Sequence, residues 1–345
     1  MDYLKLVCNN VIETGKDQLV KGEGAFYNWQ WESGVMLYGL TKAYEVTKDD
    51  KIISFIKSWV DTHLDKMDFG YSINTTAPLL SVLTLLKKYP NEVRYFEICQ
   101  NFADWCLAEA PRAELGVFEH SCTENTYFNQ VWADTLFMGA MFLFKWGIYL
   151  NKSMYIKEAA RQLKLHYYFL SDKQTGLIKH GYDCSGREQK GVLWGRGNAW
   201  YASATIEFLT VCPHGTKEYD VIRENFLCHI NGMLKYQNED GTWNTVIDNP
   251  DTYEEMSVTA GMCYALFKAV NSGIMNAEYE KTAILGTEAL KKDIDKTGKV
   301  LSGSGGTCVM PDWRDYNNIG FAYSPFTQGL AVMALAEEQK GGNRL

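Results

Sequence analysis

The chain has 345 residues, with 34 Lys plus Arg against 42 Asp plus Glu and a formal net charge of −8. That acidic balance argues against nucleic acid or an anionic membrane as the main partner, because both reward basic surface. With 46% apolar and 14% aromatic residues against 22% charged, the chain can fill a large core and lacks the composition of a disordered one.

Two kinds of helical segment alternate along the sequence. An amphipathic stretch over 2–20 precedes SGVMLYGLTKAYEV (33–46), which is apolar all round. KIISFIKSWVDTHLDK (51–66) is again amphipathic, with an apolar segment starting near 76 and an amphipathic one over 92–109. TLFMGAMFLFKWGIYL (135–150), starting near 134, then alternates with 153–171, an apolar segment from near 198, and EYDVIRENFLCHINGMLKYQ (218–237). SVTAGMCYALFKAV (257–270), an amphipathic stretch over 277–293 and an apolar segment from near 326 complete the series. Amphipathic spacing predicts outer helices with one wet face, and segments apolar all round predict buried inner ones. Between the two kinds recurs a glycine turn: FGYSI (69–73), LGVFEH (115–120), TGLIKH (175–180), DGTWN (240–244) and TGKVL (297–301).

Six inner and six outer helices can stack as an open solenoid or close into a ring. The inner helices are too apolar and glycine-rich to keep the wet face of a solenoid, so an all-α (α/α)6 barrel over 1–340 is expected. Residues 341–345 read as a frayed polar tail. The loops that enter the inner helices then gather at one mouth.

The nine cysteines are scattered, odd in number and form no CxxC pair, which suits reduced thiols in the cytoplasm rather than disulfides or a zinc site. MDYLKLVCNN lacks a signal-peptide pattern. The longest apolar run, Thr135 to Phe144, is well short of the roughly 20 residues that span a bilayer.

The mouth loops are NWQWESG (28–34), YSINTTAP (71–78), FNQVWADT (128–135), WGRGNAW (194–200), EEMSVTAG (254–261) and NIGFAYSPFTQG (318–329). Aromatics mixed with Asn, Gln, Arg and Asp fit a sugar pocket, in which rings take the CH surface and polar groups the hydroxyls. The same tryptophans could equally fill a wide barrel. Asp134, flanked by Trp132 and Met138, reads either as a helix N-cap or as a general acid. Burial would raise its pKa, and the helix dipole would lower it. Arg196 reads as a two-bond clamp for a carboxylate or as a tie for loop carbonyls. His180 and His120 are substrate contacts or structural residues, and no second His stands at metal-ligand spacing. Glu254 and Glu255 could supply the second carboxylate of an ordinary glycosidase or be solvated first-turn charges. SGSGGT (302–307) lacks a P-loop lysine and reads as a flexible loop.

VWADTLFMG (131–139), WGRGNAW (194–200), EMSVTAGMCYAL (255–266) and YSPFTQGLAVMAL (323–335) together resemble glycoside hydrolase family 105. Those enzymes are unsaturated rhamnogalacturonyl hydrolases, related to the family 88 unsaturated glucuronyl hydrolases. The likeness runs in order over nearly the whole chain. It implies an (α/α)6 barrel with no metal or organic cofactor, acting on a small unsaturated oligosaccharide. It also implies an Asp, here Asp134, that protonates C4 of a 4,5-unsaturated uronic acid while water adds at C5. Trp31, Trp132, Met138, His180, Arg196, Asn198 and Trp200 are then pocket residues, with Arg196 the uronate partner. Many family members carry a second Asp where this chain has Asn74, which can hydrogen-bond a sugar hydroxyl but cannot raise the acid's pKa by charge repulsion. A two-carboxylate glycosidase, an unsaturated glucuronyl hydrolase and a non-catalytic helical scaffold remain the alternatives at this point.

Overall fold

The computed structural model describes residues 1–67, 69–122 and 126–342. Its helices are α1 (Tyr3–Lys21), α2 (Trp31–Thr47), α3 (Asp50–Lys66), α4 (Ile73–Thr76), α5 (Leu79–Lys88), α6 (Val93–Ala108) and α7 (Met141–Leu150). They continue with α8 (Ser153–Leu170), α9 (Gly195–Val211), α10 (Lys217–Met233), α11 (Met256–Asn271), α12 (Glu280–Asp293), α13 (Trp313–Asn317) and α14 (Pro325–Gly342).

The apolar-all-round segments form the inner layer. Along α9 every residue from Gly195 to Leu209 is buried, and along α14 every residue from Pro325 to Glu337. The inner helices α2, α5, α7, α9, α11 and α14 each pack on the next, and α14 packs back on α2. The ring is closed, as the (α/α)6 expectation required. Outside it, α1, α3, α6, α8, α10 and α12 bury one stripe each. In α3 that stripe is Ile52, Ile53, Phe55, Ile56, Trp59, Val60, His63 and Leu64, at the i, i+3, i+4 spacing of an amphipathic helix. Side-chain oxygens of Asp2 and Asp49 cap the first turns of α1 and α3.

Three local features depart from the sequence reading. The second inner helix is split into α4 and α5 around Ala77 and Pro78, because proline has no N–H to continue the ladder. The third opens as a π-turn over Leu136–Ala140 before α7. Three short antiparallel strands were not foreseen: β1 (Gln130–Trp132), β2 (Gly181–Asp183) and β3 (Glu188–Lys190), in the order β1-β2-β3. At the far end α14 runs through Gly341 to Gly342, two residues that had been assigned to a frayed tail. The rest of that tail, 343–345, lies outside the described residues. Among these, no helix is long and apolar enough to cross a membrane, and no cysteine is in a disulfide.

Candidate active site

The β1 strand builds the site. Trp132 pairs with Gly181 of β2, and the Ala133 N–H donates to the His180 carbonyl at 3.1 Å. On the opposite side the His120 N–H donates to the Gln130 carbonyl at 2.8 Å. Three chain segments lying side by side thus present His120, Asp134 and His180 together at the entry to one inner helix. The π-turn follows directly. One extra residue per turn re-aims the side chains after Asp134, a device common at functional sites.

A cavity of about 400 Å³ opens there, and Trp31, Asn74, Trp132, Asp134 and Met138 all line it. Five of the nine residues chosen from sequence therefore converge on one space. His120 lines it as well, its ring stacked on Trp132 with centroids 4.4 Å apart and its Nδ1 3.0 Å from Thr135 Oγ1. Glu32, Tyr127, Cys122 and Cys308 also line the cavity and had not been singled out. The only available signals were the acid inside NWQWESG and the position of Cys308 just past the glycine loop.

His180 stands behind Asp134 rather than on the wall. It is fully buried, and its Nε2 lies 3.4 Å from Asp134 Oδ2. Its ring is packed between Trp132 and Trp194, at centroid distances of 5.3 and 4.1 Å. Burial by itself would raise the Asp134 carboxyl, but contact with His180 and the charges of His180, His120 and Arg196 outweigh it and hold the group below its ordinary value. Burial pushes His120 down to about 4 and lowers His180 as well, Asp134 only partly opposing the latter. Both imidazoles are therefore neutral near pH 7. What keeps Asp134 ionised at that pH is the Arg196 charge together with the His180 ring, whose Nε2 stands 3.4 Å from Oδ2 without closing a hydrogen bond. Glu32 is the reverse case: burial raises its carboxyl, against the pull of Arg196.

Like His180, three further residues assigned to the pocket from sequence are not on its wall. Arg196 is fully buried and is not an open clamp. Its Nη1 donates to Ser304 Oγ at 2.6 Å, and its Nη2 to the Gly305 carbonyl at 2.8 Å. Both Nη atoms are taken by oxygens, chiefly of the 304–305 loop, which is the structural alternative the sequence had left open, while the buried Nε has no hydrogen-bond partner among the described residues. Asn198 is buried away from the cavity wall as well. Its Oδ1 accepts from Ile178 N–H at 2.8 Å, and its Nδ2 donates to the carbonyls of Ile178 and Trp194 at 2.9 and 2.8 Å, so its amide is used inside the protein. Trp200 is fully buried and sets its ring edge-on to Trp31, 6.4 Å away at 86°. It supports a wall residue without being one.

Glu255 is likewise fully committed. Its carboxylate accepts from Ser257 N–H (2.9 Å), Ser257 Oγ–H (2.6 Å), Val258 N–H (3.0 Å) and Ser304 N–H (2.8 Å). Glu254 faces a separate hollow with Asp240. Arg196 and Glu255 between them pin the SGSGGT segment that had been read as flexible. That pinning sets Thr307 and Cys308 on the cavity.

The model of Glycosyl Hydrolase Family 88 matches residues 3–340. The chain is 30% identical over 323 residues to the unsaturated rhamnogalacturonyl hydrolase YesR of Bacillus subtilis, covering 92% of each chain. A possible family 105 member from Klebsiella pneumoniae superposes with a TM-score of 0.92 at 28% identity, over 99% of this chain and 92% of that one. A family 105 glycoside hydrolase from C. acetobutylicum does so with a TM-score of 0.85 at 25% identity, over 98% and 99%. Barrel, cavity and relatives agree: the chain belongs to glycoside hydrolase family 105, related to the family 88 whose model it matches.

Proposed function

We propose that the chain is an unsaturated rhamnogalacturonyl hydrolase whose residues 1–340 act as one catalytic unit on a small lyase-generated oligosaccharide, foremost unsaturated galacturonyl-rhamnose. The observation that carries this reading is Asp134 on the cavity wall with His180 Nε2 3.4 Å behind it, in a chain related to YesR. Trp31 and Trp132 offer ring faces to a sugar, and Asn74 offers an amide to its hydroxyls.

Asp134 in its acid form gives its proton to C4 of the C4=C5 bond, and positive charge develops at C5 and the ring oxygen. Water adds to C5, losing a proton to the Asp134 carboxylate. The hemiketal so formed opens, and the sugar that had been joined to C1 leaves. One carboxyl group serves both proton transfers. The His180 N–H stabilises it as the carboxylate between them, and Arg196 supplies a fixed positive field for the substrate's own carboxylate. Nine cysteines without a disulfide fit a reducing cytoplasmic setting.

A second reading, a two-carboxylate glycosidase, is favoured by Glu32, which lines the cavity and is raised by burial. Both readings need Asp134. Asp134→Asn should still fold, with a somewhat lower melting temperature because the carboxylate favoured in the folded state is gone, and lose about 10³-fold in kcat, the scale of a general acid. More than a few per cent residual turnover would remove Asp134 from the mechanism.

A further inference from the structure

Tyr316 lies on α13 and is fully buried. Its Oη sits 2.7 Å from His180 Nδ1 and accepts from the Met310 N–H at 3.1 Å. A phenol has one hydrogen to give. The Met310 N–H takes one lone pair, and among the described residues His180 Nδ1 is the remaining partner of that oxygen. The hydroxyl hydrogen therefore points at Nδ1, which must be bare. The imidazole proton then sits on Nε2, facing Asp134 Oδ2. Packing of the His180 ring between Trp132 and Trp194 keeps it from flipping to exchange its nitrogens.

We propose that Tyr316 is a positioning residue of the reaction: its hydroxyl fixes the His180 tautomer, so that an N–H and not a lone pair meets Asp134. The inference rests on the reading of Asp134 as the acid. The charged and titratable groups facing His180 are Asp134, ahead of the π-turn, Arg196 on α9 and His120 before β1. Those facing Tyr316 are Asp134, Cys308 and Asp315. With the hydroxyl gone, the proton can move to Nδ1, and at 3.4 Å the carboxylate then faces a lone pair in place of the positive end of an N–H.

The test is Tyr316→Phe, which keeps the ring and removes one oxygen. The rate falls as pH rises through the Asp134 pKa, so losing the donor should move that limb of kcat/KM upward by about one pH unit, with KM within about twofold of wild type. A folded variant with the wild-type limb would overturn the proposal. Nitrogen-15 NMR of histidine-labelled wild-type protein, with His180 assigned through His180→Gln, gives a second readout that needs no substrate. A pyridine-like Nδ1 and a protonated Nε2 support the proposal, and the opposite pattern overturns it even if Tyr316→Phe fails to fold. A wrong reaction would show instead as an active Asp134→Asn with the tautomer intact.

Discussion

In the mechanism proposed above Asp134 must hold a proton to act, while in the free cavity it lies below the ordinary carboxyl range. On that reading the substrate resolves the conflict. Its own carboxylate brings negative charge beside Asp134, as a second acidic residue would, and like charge raises a carboxyl pKa. A general acid is lost as pH rises through its pKa, so the descending limb of kcat, which reports the complex, should lie above that of kcat/KM, which reports the free enzyme. Coincident limbs would show that the substrate carboxylate sits too far away to act. At this scale the sequence was legible where a residue's neighbours in the chain decide its role. Asp134, Trp132 and Met138 come from one motif and share one cavity. It was illegible where a distant segment decides. The partner of Arg196 Nη1 is Ser304, 108 residues away, and nothing in WGRGNAW tells a loop oxygen from a substrate oxygen. Glu32 looked like any first-turn acid of a helix until the ring closed around it.

Among the elements, all-round apolarity and loose periodicity were enough to find every inner helix. They could not reveal the π-turn or β1, because five residues and three residues are too short to carry a period. The strand also depends on pairing with β2, about fifty residues further along the chain. The closest seam of the ring is between α2 and α14, where Gly39 and Gly329 meet. A Cβ at Gly329 would stand 2.6 Å from the Val35 carbonyl oxygen and 2.7 Å from Met36 Cα. Those are backbone atoms, which cannot swing aside. Gly329→Ala should therefore cost about 3 kcal/mol in urea unfolding by overpacking. A loss under about 0.5 kcal/mol, the range of an ordinary surface change, would mean the seam is looser than described.

The molecule as a whole is polarised along the barrel axis. Trp31, Asp134 and Arg196 stand at or near the starts of three inner helices, and Lys42, Lys145 and Glu207 each follow eleven residues later, about 16 Å down the helix. There Glu207, buried to 1% exposure, takes Lys42 (3.2 Å), Lys145 (2.7 Å) and Lys268 (3.3 Å). The hydroxyls of Tyr38 and Tyr264 donate to the same carboxylate. This hub ties α2, α7, α9 and α11 together at the end away from the cavity. Glu207→Gln would take the shared carboxylate from half-buried Lys145 and Lys268 and leave buried Lys42 with Glu45 alone at 3.4 Å, and should cost about 3 kcal/mol of stability, while kcat per folded molecule stays at the wild-type value. A fall in kcat with stability intact would place the hub in the chemistry instead. The central claim, hydration of a C4=C5 bond by a cavity built around Asp134, is tested most directly by ultraviolet absorbance. Lyase-digested rhamnogalacturonan is mixed with enzyme, with Asp134→Asn and a saturated disaccharide as controls. The account predicts that the absorbance of the conjugated double bond disappears with wild type alone and that the saturated disaccharide is untouched. Persistent absorbance together with sugar released from the saturated disaccharide would contradict it.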